Sequence, residues 1–242
     1  MLRAGRYHDT LALVDIGGVP FWSVHKFGCR ALCALGWTDE AIRYAEAYEP
    51  RGGERGLIAR ECETILLEAG RRDEAYDRYA LEANVGNTNL NTLRAILRKY
   101  PEKEPAAVLA DLVEDNPGAE GKWFAAARSV GAYAFALELA NRSPADPRTL
   151  LRAARDHGSD EPQFAYGCAV TALRWIVYGT PSEWDGSDLH AAIYLAVSVA
   201  GDIGMQADLA ARLRQFREHD TQGYVSLYID RLVKEYGPPQ PG

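Results

Sequence analysis

The chain has 242 residues, of which 47% are hydrophobic and 25% charged, ordinary proportions for a globular protein with room for one or two domains or one elongated array. Its net charge of −7 and pI near 5.3 argue against a generic binder of phosphate backbones, which carries the opposite sign. No apolar run reaches the roughly 18–20 residues of a membrane span, and the opening "MLRAGRYHDT" has early charges and no apolar core, unlike an export signal.

Helical signals dominate from the start. "AGRYHDTLALVD" (4–15) reads as the second helix of a pair, with Gly5 set before Gly36 by nearly one repeat (36 − 5 = 31). The helix that should precede it needs about ten more residues. The sequence therefore predicts a chain that begins inside a repeat, as part of a longer protein or completed by another chain; an irregular capping helix is the plainer alternative. Around Gly36, the apolar residues Ala31, Leu32 and Leu35, then Ala41, Ile42, Ala45 and Tyr48, recur at three- and four-residue steps. Ile58, Cys62, Ile65 and Leu66, then Ala75, Tyr79 and Ala83, repeat the plan around Gly70, one period later (70 − 36 = 34). Glycine takes a left-handed C-terminal cap at little cost, and Thr38-Asp39 and Asp73 are expected to give the next helix a polar start.

The stretch "LNTLRAILRKYPEKEPAAVLADLVEDNPG" (90–118) reads as a helix, a proline-marked turn and a second helix. "VGAYAFALELANRS" (130–143) restates the phrase, with Gly131 preceding Ala136 as Gly36 precedes Ala41. Beyond it, helices are expected over 147–157, 162–178, 187–200, 205–218 and 223–236, separated by breakers such as "SPADP" and "HGSDEP". The final "YGPPQPG" cannot continue a helix and predicts a frayed tail over 237–242. Strand signals are weak throughout.

Helix pairs with a period of about 34 residues fit a solenoid, and residues 20–83 resemble tetratricopeptide repeats. The family's small residue in the second helix matches Ala41 and Ala75, its turn glycine matches Gly36 and Gly70, and its later aromatic matches Tyr44 and Tyr79. His25 and Ala59 stand where the family has tryptophan, and Pro50 comes a few residues early for the proline that closes a repeat. The match is looser over 4–15 and 90–143 and slight beyond. The resemblance implies one all-α domain over 1–242, a right-handed superhelix of antiparallel helix pairs with about 12–13 helices. Residues 1–143 would be the repeat-like part and 144–236 divergent pairs, those of 162–236 more bundle-like.

Two clusters could carry chemistry. His25, Cys29 and Cys33 are four residues apart and share one helix face, and Cys62 holds nearly the same place in the next repeat. Four such ligands could hold zinc, although cysteine also suits tight helix packing. The cysteines, with Cys168, show no framework spacing, and without an export signal reduced thiols in the cytoplasm are expected. The second cluster is basic. The resemblance implies that first helices line a concave groove, on or near which Lys26, Arg30, Arg60, Arg98, Arg128, Arg148, Arg152 and Arg155 fall. Such a groove would attract acidic peptides or a C-terminal carboxylate. The family's carboxylate-clamping members place lysine and asparagine where Lys26 and Arg30 stand; Lys26 fits and Arg30 departs. The plain alternative is a solvated face whose arginines pair with acidic neighbours.

The tryptophans Trp22, Trp37, Trp123, Trp175 and Trp184 are expected in helix–helix interfaces, with "KWF" (122–124) and "LRWIVYG" (173–179) as anchors. No HExxH, phosphate-binding glycine loop or GxSxG is present, and the histidines are dispersed. The expectation is a non-catalytic scaffold, without cofactor, that binds a protein or peptide, with self-association through the first repeat as a further route. The alternative is a small-molecule, metal or redox sensor domain.

Overall fold

The computed structural model describes residues 4–17, 21–179 and 184–220, with positions 223 and 226. The regular structure of these residues is all helical, in 13 helices without a strand among them. The expected helix over 223–236 and the tail 237–242 fall outside the described residues, apart from those two positions.

The contacts group the chain into two compact units, Met1–Glu104 and Pro105–Gly242. The change of character expected near residue 143 lies inside the second. The first unit contains α1 (Tyr7–Gly17), α2 (Trp22–Ala34), α3 (Thr38–Glu46), α4 (Glu54–Glu68), α5 (72–83) and α6 (Asn89–Lys99). The second contains α7 (Pro105–Glu114), then a tight turn of helix, Glu120–Trp123, leading into α8 (Phe124–Ser129). It continues with α9 (Tyr133–Arg142), α10 (Pro147–Asp156), α11 (Pro162–Val177), α12 (Gly186–Ile203) and α13 (Gln206–Arg217).

The repeated phrase is a helical hairpin. At the end of α2, the amide of Gly36 donates to Cys33 O at 2.9 Å and that of Trp37 to Leu32 O at 3.0 Å. After α4, Gly70 donates to Leu67 O and Arg71 to Leu66 O; after α8, Gly131 donates to Arg128 O and Ala132 to Ala127 O. This paired closure needs a left-handed residue, and the three glycines have φ of 83°, 76° and 77°. Five residues after each glycine an alanine (Ala41, Ala75, Ala136) is fully buried, which lets the second helix come close to its neighbours. Thus α2 packs on α3, α4 on α5 and α8 on α9.

Two local readings need correction. Thr38, Asp39 and Asp73 are not caps: the caps are Trp37 and Arg71, and neither makes a side-chain cap bond. The acids lie in the first turn, where they complement the helix dipole. Side-chain caps form instead at Thr88, Asp146 and Asp185. α5 is also not a plain α-helix, since Tyr76–Ala80 is wound as a π-helix between two short α-turns.

Polar ties run from one hairpin to the next at close to one repeat of sequence separation. Arg78 Nη2 and Tyr79 Oη reach Glu46 Oε1 at 2.7 Å each, 32 and 33 residues back. Arg71 pairs with Asp39 over 32 residues and Arg72 with Glu102 over 30. In the second unit, Trp175 Nε1 donates to Ala140 O at 2.8 Å over 35 residues, and Arg148 Nε to Asp188 Oδ2 at 2.8 Å over 40. The centre of that unit is α11, which packs on α9, α10, α12 and α13 and is buried along most of its length.

Candidate functional site

The sulfur cluster does not form a metal site. Cys29 and Cys62 are fully buried, and Cys33 is partly so. Burial pushes the Cys29 thiol far above its ordinary range, with the neighbouring Cys62 adding to the effect. Burial likewise pushes Cys62 up to about 11 and raises Cys33. Raised thiols hold little of the thiolate that acts as a nucleophile. The His25 ring meets Tyr44 instead, Nδ1 to Oη at 2.8 Å, and lies against Tyr48 with ring centroids 4.9 Å apart. Among the described residues no group of three or more His, Cys, Asp or Glu could hold a metal ion. His25, Cys29, Cys33 and Cys62 are thus not gathered into a ligand set among the described residues, and the buried Cys29 and Cys62 take part in helix packing, the plainer of the two readings.

The eight basic residues divide. Arg30 is spent within the fold, reaching from α2 to Glu61 and Glu68 of α4. Arg128 pairs with Asp156 at 3.0 Å, and Arg148 with Asp188 and Asp185. Arg155 Nε returns to Leu151 O of its own helix at 3.2 Å. Arg60 Nε donates to Ala83 O at 3.2 Å, which leaves its side chain on the surface. Lys26, Arg98 and Arg152 are exposed. Tethered arginines such as Arg30, Arg128 and Arg148 cannot pair fully with a partner without releasing an internal carboxylate.

The tryptophans also divide. Trp22, Trp123 and Trp175 are core residues, and Trp123 and Phe124 anchor the second unit as expected. Trp184 is half-buried. Trp37 departs from the expected burial: at 46% exposure it caps α3 and meets the His8 ring edge-on.

One surface carries exposed cations that form no ion pair with an internal carboxylate among the described residues, together with exposed apolar area. Lys26 on α2 and Arg60 on α4 stand at the same distance before their turn glycines (36 − 26 = 70 − 60 = 10), so they hold one register position on two helices that pack together. Beside them Phe27 is 46% exposed and Leu57 49% exposed. The Lys26 ammonium lies 5.5 Å from the centre of the Phe27 ring, and the ion pairs of Arg30 brace the two helices between. Sequence reasoning found the cations but not Phe27 and Leu57. Their signal was available: each lies off the buried stripe of its helix, Trp22, Cys29 and Leu32 in one and Ile58, Cys62 and Ile65 in the other.

The class this fold defines is an all-α protein built from helical hairpins. Comparison with protein-family models, with curated proteins and with solved structures gave no match, so the likeness to tetratricopeptide repeats rests on the residues of this chain alone. Among the described residues no helix is long and apolar enough to cross a membrane.

Proposed function

We propose that the chain is a tetratricopeptide-like scaffold, its first hairpins beginning a right-handed superhelix, and that it binds a peptide segment of a protein partner across α2 and α4. The observation that carries this reading is the pair of exposed cations at one register on adjacent helices, Lys26 and Arg60, each with an exposed apolar side chain on its own helix, Phe27 next in sequence to Lys26 and Leu57 three residues before Arg60. In a chain of net charge −7, a local cationic and apolar surface selects a segment that carries both acidic and large apolar residues. The apolar contacts supply most of the affinity, and the charges orient the segment and speed its encounter. The inter-hairpin ties hold the two helices in fixed register, so little ordering is left for binding to offset.

Peptide display against the full chain tests this. The selected peptides should be enriched in acidic residues flanking an aromatic or aliphatic anchor. Phe27→Ala and Leu57→Ala together should weaken them by about 2 kcal/mol, as truncation of interface anchors does. Selection of peptides with no such pattern, or binding that is indifferent to both truncations, would exclude this face as the binding surface.

A further inference from the structure

The second unit holds a pocket that plays no part in the peptide face. Its volume is about 410 Å³, within the range of roughly 300–1,000 Å³ common to small-molecule sites. It opens where α9, α11 and α13 meet, with Gly167 of α11 facing the Leu137 side chain of α9. A Cβ at that position would lie 2.6 Å from Leu137 Cδ1, inside van der Waals contact.

One end of the pocket is a fixed cation. Tyr166, itself buried, donates its hydroxyl to Asp208 Oδ2 at 2.7 Å, and Arg212 Nε donates to the same oxygen at 2.7 Å. The guanidinium has five N–H donors, so one bond to Asp208 leaves most of its donating capacity at the pocket wall. At the other end Asn141 Oδ1 accepts from Arg174 Nη1 at 3.2 Å, while the Asn141 amide donates to Leu137 O at 2.8 Å. Arg174 itself lies outside the lining, its guanidinium over the Trp175 and Tyr178 rings, so Arg212 is the cation at the pocket wall. Between the ends, Leu137, Val170 and Met205 supply an apolar wall. Asp208, held by the buried Tyr166, orients the Arg212 guanidinium through Nε and leaves its terminal amino groups for a ligand.

We propose that this pocket binds a small organic monocarboxylate, its carboxylate on Arg212 and its apolar body along Leu137, Val170 and Met205. A carboxylate matches the planar donor fork of the guanidinium, whose donors beyond the Asp208 bond are open to a ligand.

Amide NMR titration of the full chain with 3-phenylpropionate, and in parallel with the uncharged 3-phenylpropan-1-ol, tests the proposal. The acid should saturate shifts confined to α9, α11 and α13, with the alcohol at least tenfold weaker. Arg212→Gln should weaken the acid at least tenfold, and Arg212→Lys should recover part of the loss. Absence of saturable binding of the acid, equal binding of acid and alcohol, or saturating shifts elsewhere in the chain would overturn it. Should Arg212→Gln lower the melting temperature, the contrast between acid and alcohol on the unmodified chain decides alone.

Discussion

Glu63 is completely buried and ionisable, and it survives in the core because three side chains converge on it. Asn84 Nδ2 donates to Oε1 at 2.7 Å, Tyr100 Oη to the same oxygen at 2.8 Å, and Lys99 Nζ reaches Oε2 at 2.6 Å. The four residues tie α4 to the end of α5 and to α6. Glu63→Ala would strand them, at a cost of about 3 kcal/mol; this is the lower end for breaking a buried pair, because the Lys99 side chain keeps 32% of its surface in water. Urea unfolding measures it, and a loss under about 1 kcal/mol would mean the network is not stabilising. A second residue-scale expectation concerns pH. Although burial acts to raise them, the carboxyls of Glu46 and Asp208 are held below their ordinary range by hydrogen bonds: Tyr79 and Arg78 to the first, Tyr166 and Arg212 to the second. A carboxyl depressed in the folded state binds fewer protons there than when unfolded. Its contribution is present at neutral pH and is lost as pH falls from about 5 through the folded value. Melting temperature should therefore drop between pH 6 and pH 3, and Glu46→Gln should flatten that drop; an unaltered profile in the variant would remove Glu46 from the account.

At the scale of elements, the hairpin is the unit the amino acids dictate most directly. Gly36, Gly70 and Gly131 need a left-handed backbone, and Ala41, Ala75 and Ala136 need room for nothing larger. Replacing Gly70 with alanine should cost about 1 kcal/mol through backbone strain. Ala75→Leu should cost about 1–3 kcal/mol through overpacking, both read from thermal unfolding with near-complete retention of helix at 20 °C. These hairpins were legible in the sequence because each signal is local: a cap glycine, a small residue and a spacing. Most helix bounds from 147 to 217 were legible for the same reason, with Pro147 and Pro162 at helix starts, while the helix expected to end at 200 runs on to Ile203 before its glycine cap Gly204. The π-helical turn Tyr76–Ala80 was not, because it brings Arg78 and Tyr79 together onto Glu46, and that partner sits one repeat away. The polar starts at Asp39 and Asp73 hold, but whether such an acid caps the helix or lies in its first turn is separated only by the backbone angles at Trp37 and Arg71.

Over the whole molecule, the candidate site was half legible. Counting from the turn glycines located Lys26 and Arg60, but composition could not show which arginines the fold consumes. Arg30, Arg128 and Arg148 find their carboxylates 28 to 40 residues away, and a pairing at that range is visible only once hairpins are packed. The sulfur cluster was open for a related reason, since helical spacing aligned Cys29 and Cys33 for either packing or ligation, and burial of Cys29 and Cys62 becomes visible only in the packed hairpins. What remains outward on α2 and α4 is a small cationic and apolar surface in an acidic chain, and the scaffold reading depends on it. Fluorescence anisotropy with a selected acidic peptide, comparing the native chain with a Lys26→Glu, Arg60→Glu double variant, tests it most directly. The account predicts at least a tenfold loss of affinity, smaller in high salt, with circular dichroism unchanged; equal affinity in a variant that folds normally would contradict it.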